Sequence, residues 1–144
     1  MEYSEISKRI KVYQITAIIS ILLTLSGFSY NVYRLEQSEI NSNIRTSSFE
    51  MIKELASLEQ IVYAAFYEQD KILGNPRTGW VKVGIITDLS IICFNEKSME
   101  TKQLVKTWGN NWSSMNSDKK SVKEIIESID KVREKIRTVL QNLR

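Results

Sequence analysis

The chain has 144 residues, with 20 Lys and Arg against 17 Asp and Glu, for a net charge of +3. Acids and bases are interspersed, so there is no basic stripe of the kind that binds nucleic acid. His is absent and Cys93 is the single Cys, which excludes an internal disulfide and a thiolate metal cluster and removes the commonest general base and metal ligand.

The first 11 residues, MEYSEISKRIK, form a short amphipathic lead. Residues 12–33 then run for 22 positions without a charge, between Lys11 and Arg34. As a helix this run reaches about 33 Å, against about 30 Å for a bilayer core. Its centre is apolar apart from Thr16, Ser20 and Thr24, whose hydroxyls can bond back to helix carbonyls and so cost little in lipid. Tyr13 stands near one end and Tyr30 and Tyr33 near the other, the placement expected at the two headgroup layers. A buried core helix of a soluble protein is the plain alternative, but a charge-free run this long suits a membrane better. A cleaved signal peptide would share the basic front, yet the run is long for one and no A-x-A site closes it. The reading is an uncleaved single-pass anchor, with the protein integral to the membrane.

Lys8, Arg9 and Lys11 precede the run, whereas Arg34 is the only cation between it and Arg45. The positive-inside rule puts the N-terminus in the cytoplasm and the rest outside the inner (plasma) membrane, in the periplasm of a bacterium. The lead is too short for a cytoplasmic signalling domain.

Residues 34–47 are polar and read as a tether, either helical throughout or broken at Asn41-Ser42-Asn43. Ser47 with Glu50 has the form of a capping box, which predicts a helix restart and a domain over 48–144. With five Gly and one Pro in the chain, long helices are favoured over many strands. Ile44, Ser48, Met51, Leu55, Leu58, Val62, Ala65, Gln69 and Ile72 mark a heptad seam, and Gly74 is expected to end that helix. Asn75-Pro76 is a helix start.

Residues 80–94 alternate partly, as a strand would. A lone strand would leave its backbone unpaired, so a helix is expected, with Val81, Ile85, Leu89, Ile92 and Cys93 on one side. Residues 99–115 read as a third helix, weakened at Gly109-Asn110-Asn111, with Ser117 or Asp118 capping the fourth. In that fourth helix Val122, Ile125, Ile129, Val132, Ile136, Val139 and Leu143 repeat in steps of three and four. Glu127 with Lys131 is the expected surface pair there, and Arg144 helps complement the helix dipole. The expected fold is all-α: a single N-terminal transmembrane helix, then an antiparallel four-helix-bundle-like extracytoplasmic domain with helices near 44–73, 76–94, 98–115 and 118–143.

Enzyme signatures are lacking: there is no G-x-S-x-G, P-loop, H-E-x-x-H or C-x-x-C. Neither enzymatic activity nor a cofactor is expected. Glu68, Asp70 and Asp88 lie near apolar runs but read as solvated acids, Asp88 with Arg77 or Lys82 as its expected neighbour. The candidate contacts are Tyr67, Arg77, Trp80, Trp108 and Trp112, since Trp, Tyr and Arg dominate binding hot spots. Aromatics that fill a small core are the competing account. The sequence therefore points to an accessory or scaffold module of the cell envelope that binds a protein partner or itself. A receptor domain for a small ligand is the alternative.

Overall fold

The computed structural model describes residues 2–96 and 98–143, with side chains from residue 6 onward. Lys97, in the polar break before the third helix, and Arg144 lie outside the described residues. Among the described residues there are four α-helices and no strand: α1 (Glu2–Tyr63), α2 (Pro76–Phe94), α3 (Met99–Asn111) and α4 (Lys119–Asn142). The all-α expectation holds, and the ambiguous segment 80–94 is helical. The chain divides into two compact units, Met1–Ile40 and Asn41–Arg144, and α1 supplies residues to both.

In the first unit every residue from 6 to 40 is exposed. The helix hydroxyls are satisfied locally: Thr16 donates to the Val12 carbonyl at 2.9 Å, Ser20 to Thr16 at 2.8 Å, Thr24 to Ser20 at 2.8 Å and Ser26 to Leu22 at 2.8 Å. Among the described residues α1 is the one helix long and apolar enough to cross a membrane.

The expected restart at Ser47 is not a helix end. Nothing between residues 34 and 63 breaks a helix, since neither Gly nor Pro occurs there. The Ser47 hydroxyl turns back to the Ile44 carbonyl at 3.0 Å, and residues 34–47 are helical throughout. The heptad seam then does its work: Ser48, Met51, Leu55, Leu58, Val62 and Ala65 are buried. It stops short of Gln69 and Ile72, because the helix widens into a five-residue π-helical turn, Ala64–Glu68. Gln69 (φ 53°), not Gly74, takes the left-handed position that closes it. Asp70, outside the helix, holds the next turn by accepting from the Ile72 and Leu73 amides at 2.7 and 2.9 Å. Gly74 answers a different need. A Cβ there would lie 2.5 Å from the Ala65 backbone, so only glycine permits the approach.

Asn75 caps α2, its side chain accepting from the Arg77 amide at 3.0 Å, with Pro76 as the first helical residue. The buried side of α2 is Gly79, Val83, Ile86, Ser90 and Cys93. The expected face was wrong in most of its members: Val81, Ile85 and Ile92 are exposed, and Leu89 is half-buried. The helix is apolar nearly all round, so periodicity did not pick its inner side. Gly79 is what admits the observed side, because a Cβ there would meet the Trp108 ring at 2.2 Å.

Ser98 caps α3, accepting from the Thr101 amide at 3.1 Å. That helix ends at Asn111 rather than 115. Asp118 caps α4 through the amides of Lys120 and Ser121. Along α4, Val122, Ile125, Ile129, Val132 and Ile136 are buried, and Val139 and Leu143 half-buried. The core combines this stripe with Met51, Leu55, Leu58 and Val62 of α1, Val83 and Ile86 of α2, and Leu104 and Trp108 of α3.

Polar pairs fix the register of the second unit. Ser48 meets Cys93 at 3.0 Å and Glu54 pairs with Lys82 at 2.8 Å, tying α1 to α2 at two points. Asn111 donates to Glu124 at 3.1 Å and Ser114 bonds Ser121 at 2.8 Å across the α3–α4 join. Arg133 reaches Glu59 of α1 and, at 3.0 Å, Asp130. The expected Glu127–Lys131 pair does not form; Glu127 lies 3.7 Å from Lys123.

Candidate functional site

Of the five candidate contacts the structure brings Trp80 and Trp108 together, while Tyr67 and Trp112 line different concavities. Trp108 is fully buried, and Trp80, 41% exposed, meets it edge to face with ring centroids 6.4 Å apart. The α2 turn that carries Trp80 is brought against α3 by Gly79, so the pair follows from the glycine. The Trp108 indole N–H is buried without a hydrogen-bond partner, a local cost of about 1–3 kcal/mol. Arg77 is exposed in the first turn of α2, and among the described residues its guanidinium makes no ion pair.

Tyr67 is exposed on the π-helical turn, 4.9 Å from the Phe66 ring and 5.8 Å from that of Tyr63. Tyr63 and Tyr67 line an open groove of about 500 Å³ together with the start of α4, which contributes Val122 and Ile126, Lys119, Lys120 and Lys123, and Glu127. Burial pushes the Tyr63 hydroxyl above its ordinary pKa, and the neighbouring Glu59 carboxylate pushes the same way. This keeps the hydroxyl protonated as a donor. Burial alone would lower the Arg133 pKa; Glu59 and Asp130 more than offset it, so the guanidinium is held charged.

Trp112 follows α3 and lines a smaller cavity of about 240 Å³ with Ala65, Gln69, Asp70, Gly74 and Met115. The Gln69 amide spans its edge, donating to the carbonyls of Phe66 and Asn116 at 2.8 and 2.9 Å. Sequence reasoning missed both concavities. The π-helical turn that shapes them leaves no periodic signal, and the three lysines stand in a helix start read only for its cap.

Of the three acids, Glu68 is exposed, Asp70 is spent on its turn, and Asp88 is exposed with no ion pair among the described residues. Lys82, one of its expected neighbours, is taken by Glu54. Among the described residues no group of three or more Cys, Asp or Glu side chains is placed to hold a metal ion. The chain matches no protein-family model, and no curated protein or solved structure matches it.

Proposed function

We propose that the protein is a single-pass, membrane-anchored helical-bundle module that works by binding another protein of the cell envelope. One observation carries the anchoring: ten large aliphatic or aromatic side chains between Val12 and Val32, Ile21, Leu22, Leu23 and Phe28 among them, are all more than 40% exposed. Leaving them in water forgoes on the order of 15–30 kcal/mol of burial; lipid supplies it, and the back-bonded hydroxyls remove the polar objection. Lys8, Arg9 and Lys11 ahead of the run orient the N-terminus to the cytoplasm, with the second unit outside the inner membrane.

In this reading the second unit is an antiparallel bundle that presents surface rather than chemistry. Tyr67, Trp80 and Trp112 stay exposed as contact aromatics, with Lys119, Lys120 and Lys123 lining the same groove as Tyr67. The receptor alternative calls for a solute cavity lined by Arg77 or Trp80, and neither concavity described above has that lining. The test is crosslinking of the full-length protein in its native membrane, read by mass spectrometry. Crosslinks from the aromatic and lysine surface to a distinct membrane or envelope protein are expected. Recovery of self-crosslinks alone would overturn the accessory-subunit reading.

A further inference from the structure

The outer side of α2 carries a second seam, independent of the accessory-subunit reading. Arg77, Val81, Gly84 and Asp88 follow one another in steps of four, three and four, the spacing of a helix-pairing stripe, and all four are exposed. Ile85 (36% exposed) and Ile92 (54%) flank it. The charges at its two ends are opposite, and among the described residues neither Arg77 nor Asp88 makes an ion pair. Gly84 stands in a helix interior, where glycine costs about 1 kcal/mol relative to alanine. Its own fold does not require it, since a Cβ there would meet nothing within 4 Å. Gly79, on the inner side of the same helix, is by contrast forced by Trp108.

We infer that this seam pairs with the same seam of a second copy of the chain, antiparallel about a two-fold axis between Lys82 and Val83. An isologous contact must be self-complementary, and this one is. Arg77 of each copy meets Asp88 of the other. Val81 of each enters the gap left by Gly84 of the other, a close approach that the missing side chain permits. The same register sets Ile92 against Leu73, 55% exposed in the turn before α2. A parallel pair would instead oppose Arg77 to Arg77 and Asp88 to Asp88, which repels.

The test is self-association of the full-length protein in detergent micelles, which impose no common membrane plane, followed by energy transfer between differently labelled copies. Arg77→Asp and Asp88→Arg should each weaken the dimer about tenfold, and the double variant should return it to within about threefold of the starting affinity. Gly84→Leu should weaken it without loss of helicity. In a Cys93→Ala background, a Val81→Cys copy should form a disulfide with a Gly84→Cys copy faster than either forms one with itself. A protein monomeric at all concentrations would overturn the inference. So would a dimer indifferent to the charge exchange, which would place self-association elsewhere, or a double variant as weak as the singles. Loss of a distinct partner on Asp88→Arg, with self-association unchanged, would assign the seam to that partner instead and leave the proposed function standing.

Discussion

Helices α4 and α2 lie in the same unit and solve opposite problems. α4 has one apolar stripe and charges elsewhere, so it has one way to sit. Its Ile125, Ile129 and Ile136 are fully buried, and Lys119, Lys120 and Lys123 are exposed. α2 is apolar on two sides; Val83, Ile86 and Cys93 are buried in the core, and Leu89 and Phe94 pack against it half-buried. The difference teaches that apolar content does not choose a face; contrast between faces does. What decides α2 is shape, through Gly79 against Trp108, together with the Lys82–Glu54 pair.

The largest effect should separate the two stripes. Ile129→Ala removes a fully buried side chain and is expected to cost about 3 kcal/mol in denaturant unfolding. Ile85→Ala, on the exposed side of α2, should stay within about 0.5 kcal/mol when measured below the concentration of self-association. Equal costs would break the comparison, because the outer side of α2 would then have to be covered within a single chain.

The two glycines of α2 sharpen it further. Gly79→Ala puts a methyl group 2.2 Å from the Trp108 ring and should destabilise by about 1–3 kcal/mol through overpacking. Gly84→Ala meets open space and should stabilise the monomer by about 0.5–1 kcal/mol. Opposite signs at two positions five residues apart on one helix would be hard to obtain if α2 were turned any other way. Next in size is the cap: Asn75→Ala loses the bond to the Arg77 amide and should cost about 1 kcal/mol.

These contrasts explain what was legible beforehand. The long apolar helix, the α4 stripe and the Asn75-Pro76 start could be read because each rests on local pattern: absence of charge, a sustained heptad, a capping pair. The inner face of α2 could not, since its decisive contact is between Gly79 and Trp108, 29 positions apart in the chain. Ser47 and Glu50 misled because a capping box marks a helix start only where something has ended the helix before it. The π-helical turn after α1 was invisible for a related reason: Ala64-Ala65-Phe66-Tyr67 is good helical sequence, and what closes the turn is Gln69 in the left-handed conformation. The candidate contacts were identified by residue type, which is why only Trp80 and Trp108 among them proved to form a pair: type says what can bind, whereas placement says what is brought together.

The smallest predicted effects lie at the two pH extremes and again assign one to each helix. At the start of α4, the Ser121 hydroxyl and the Lys120 amide hold the Asp118 carboxyl below its ordinary value of 3.8. The unfolded chain then binds the proton first. The cap's contribution is complete above the unfolded pKa and is lost as pH falls through the folded one. Asp118→Asn should flatten that acid limb of stability. In α2, burial pushes the Cys93 thiol above its ordinary 9.0, against the opposing pull of the Ser48 hydroxyl. Here the folded chain keeps the proton longer. Stability is unaffected below the unfolded pKa and falls as pH rises past it, by at most about 1.4 kcal/mol per pH unit for one proton. Cys93→Ala should remove the part of this alkaline limb that begins near pH 9 while leaving the part above about pH 10, where Tyr63 of α1 is also held protonated by burial and by Glu59. An alkaline limb unchanged by Cys93→Ala would mean that the thiol is open to solvent, and with it the inner face of α2 on which the comparison with α4 depends.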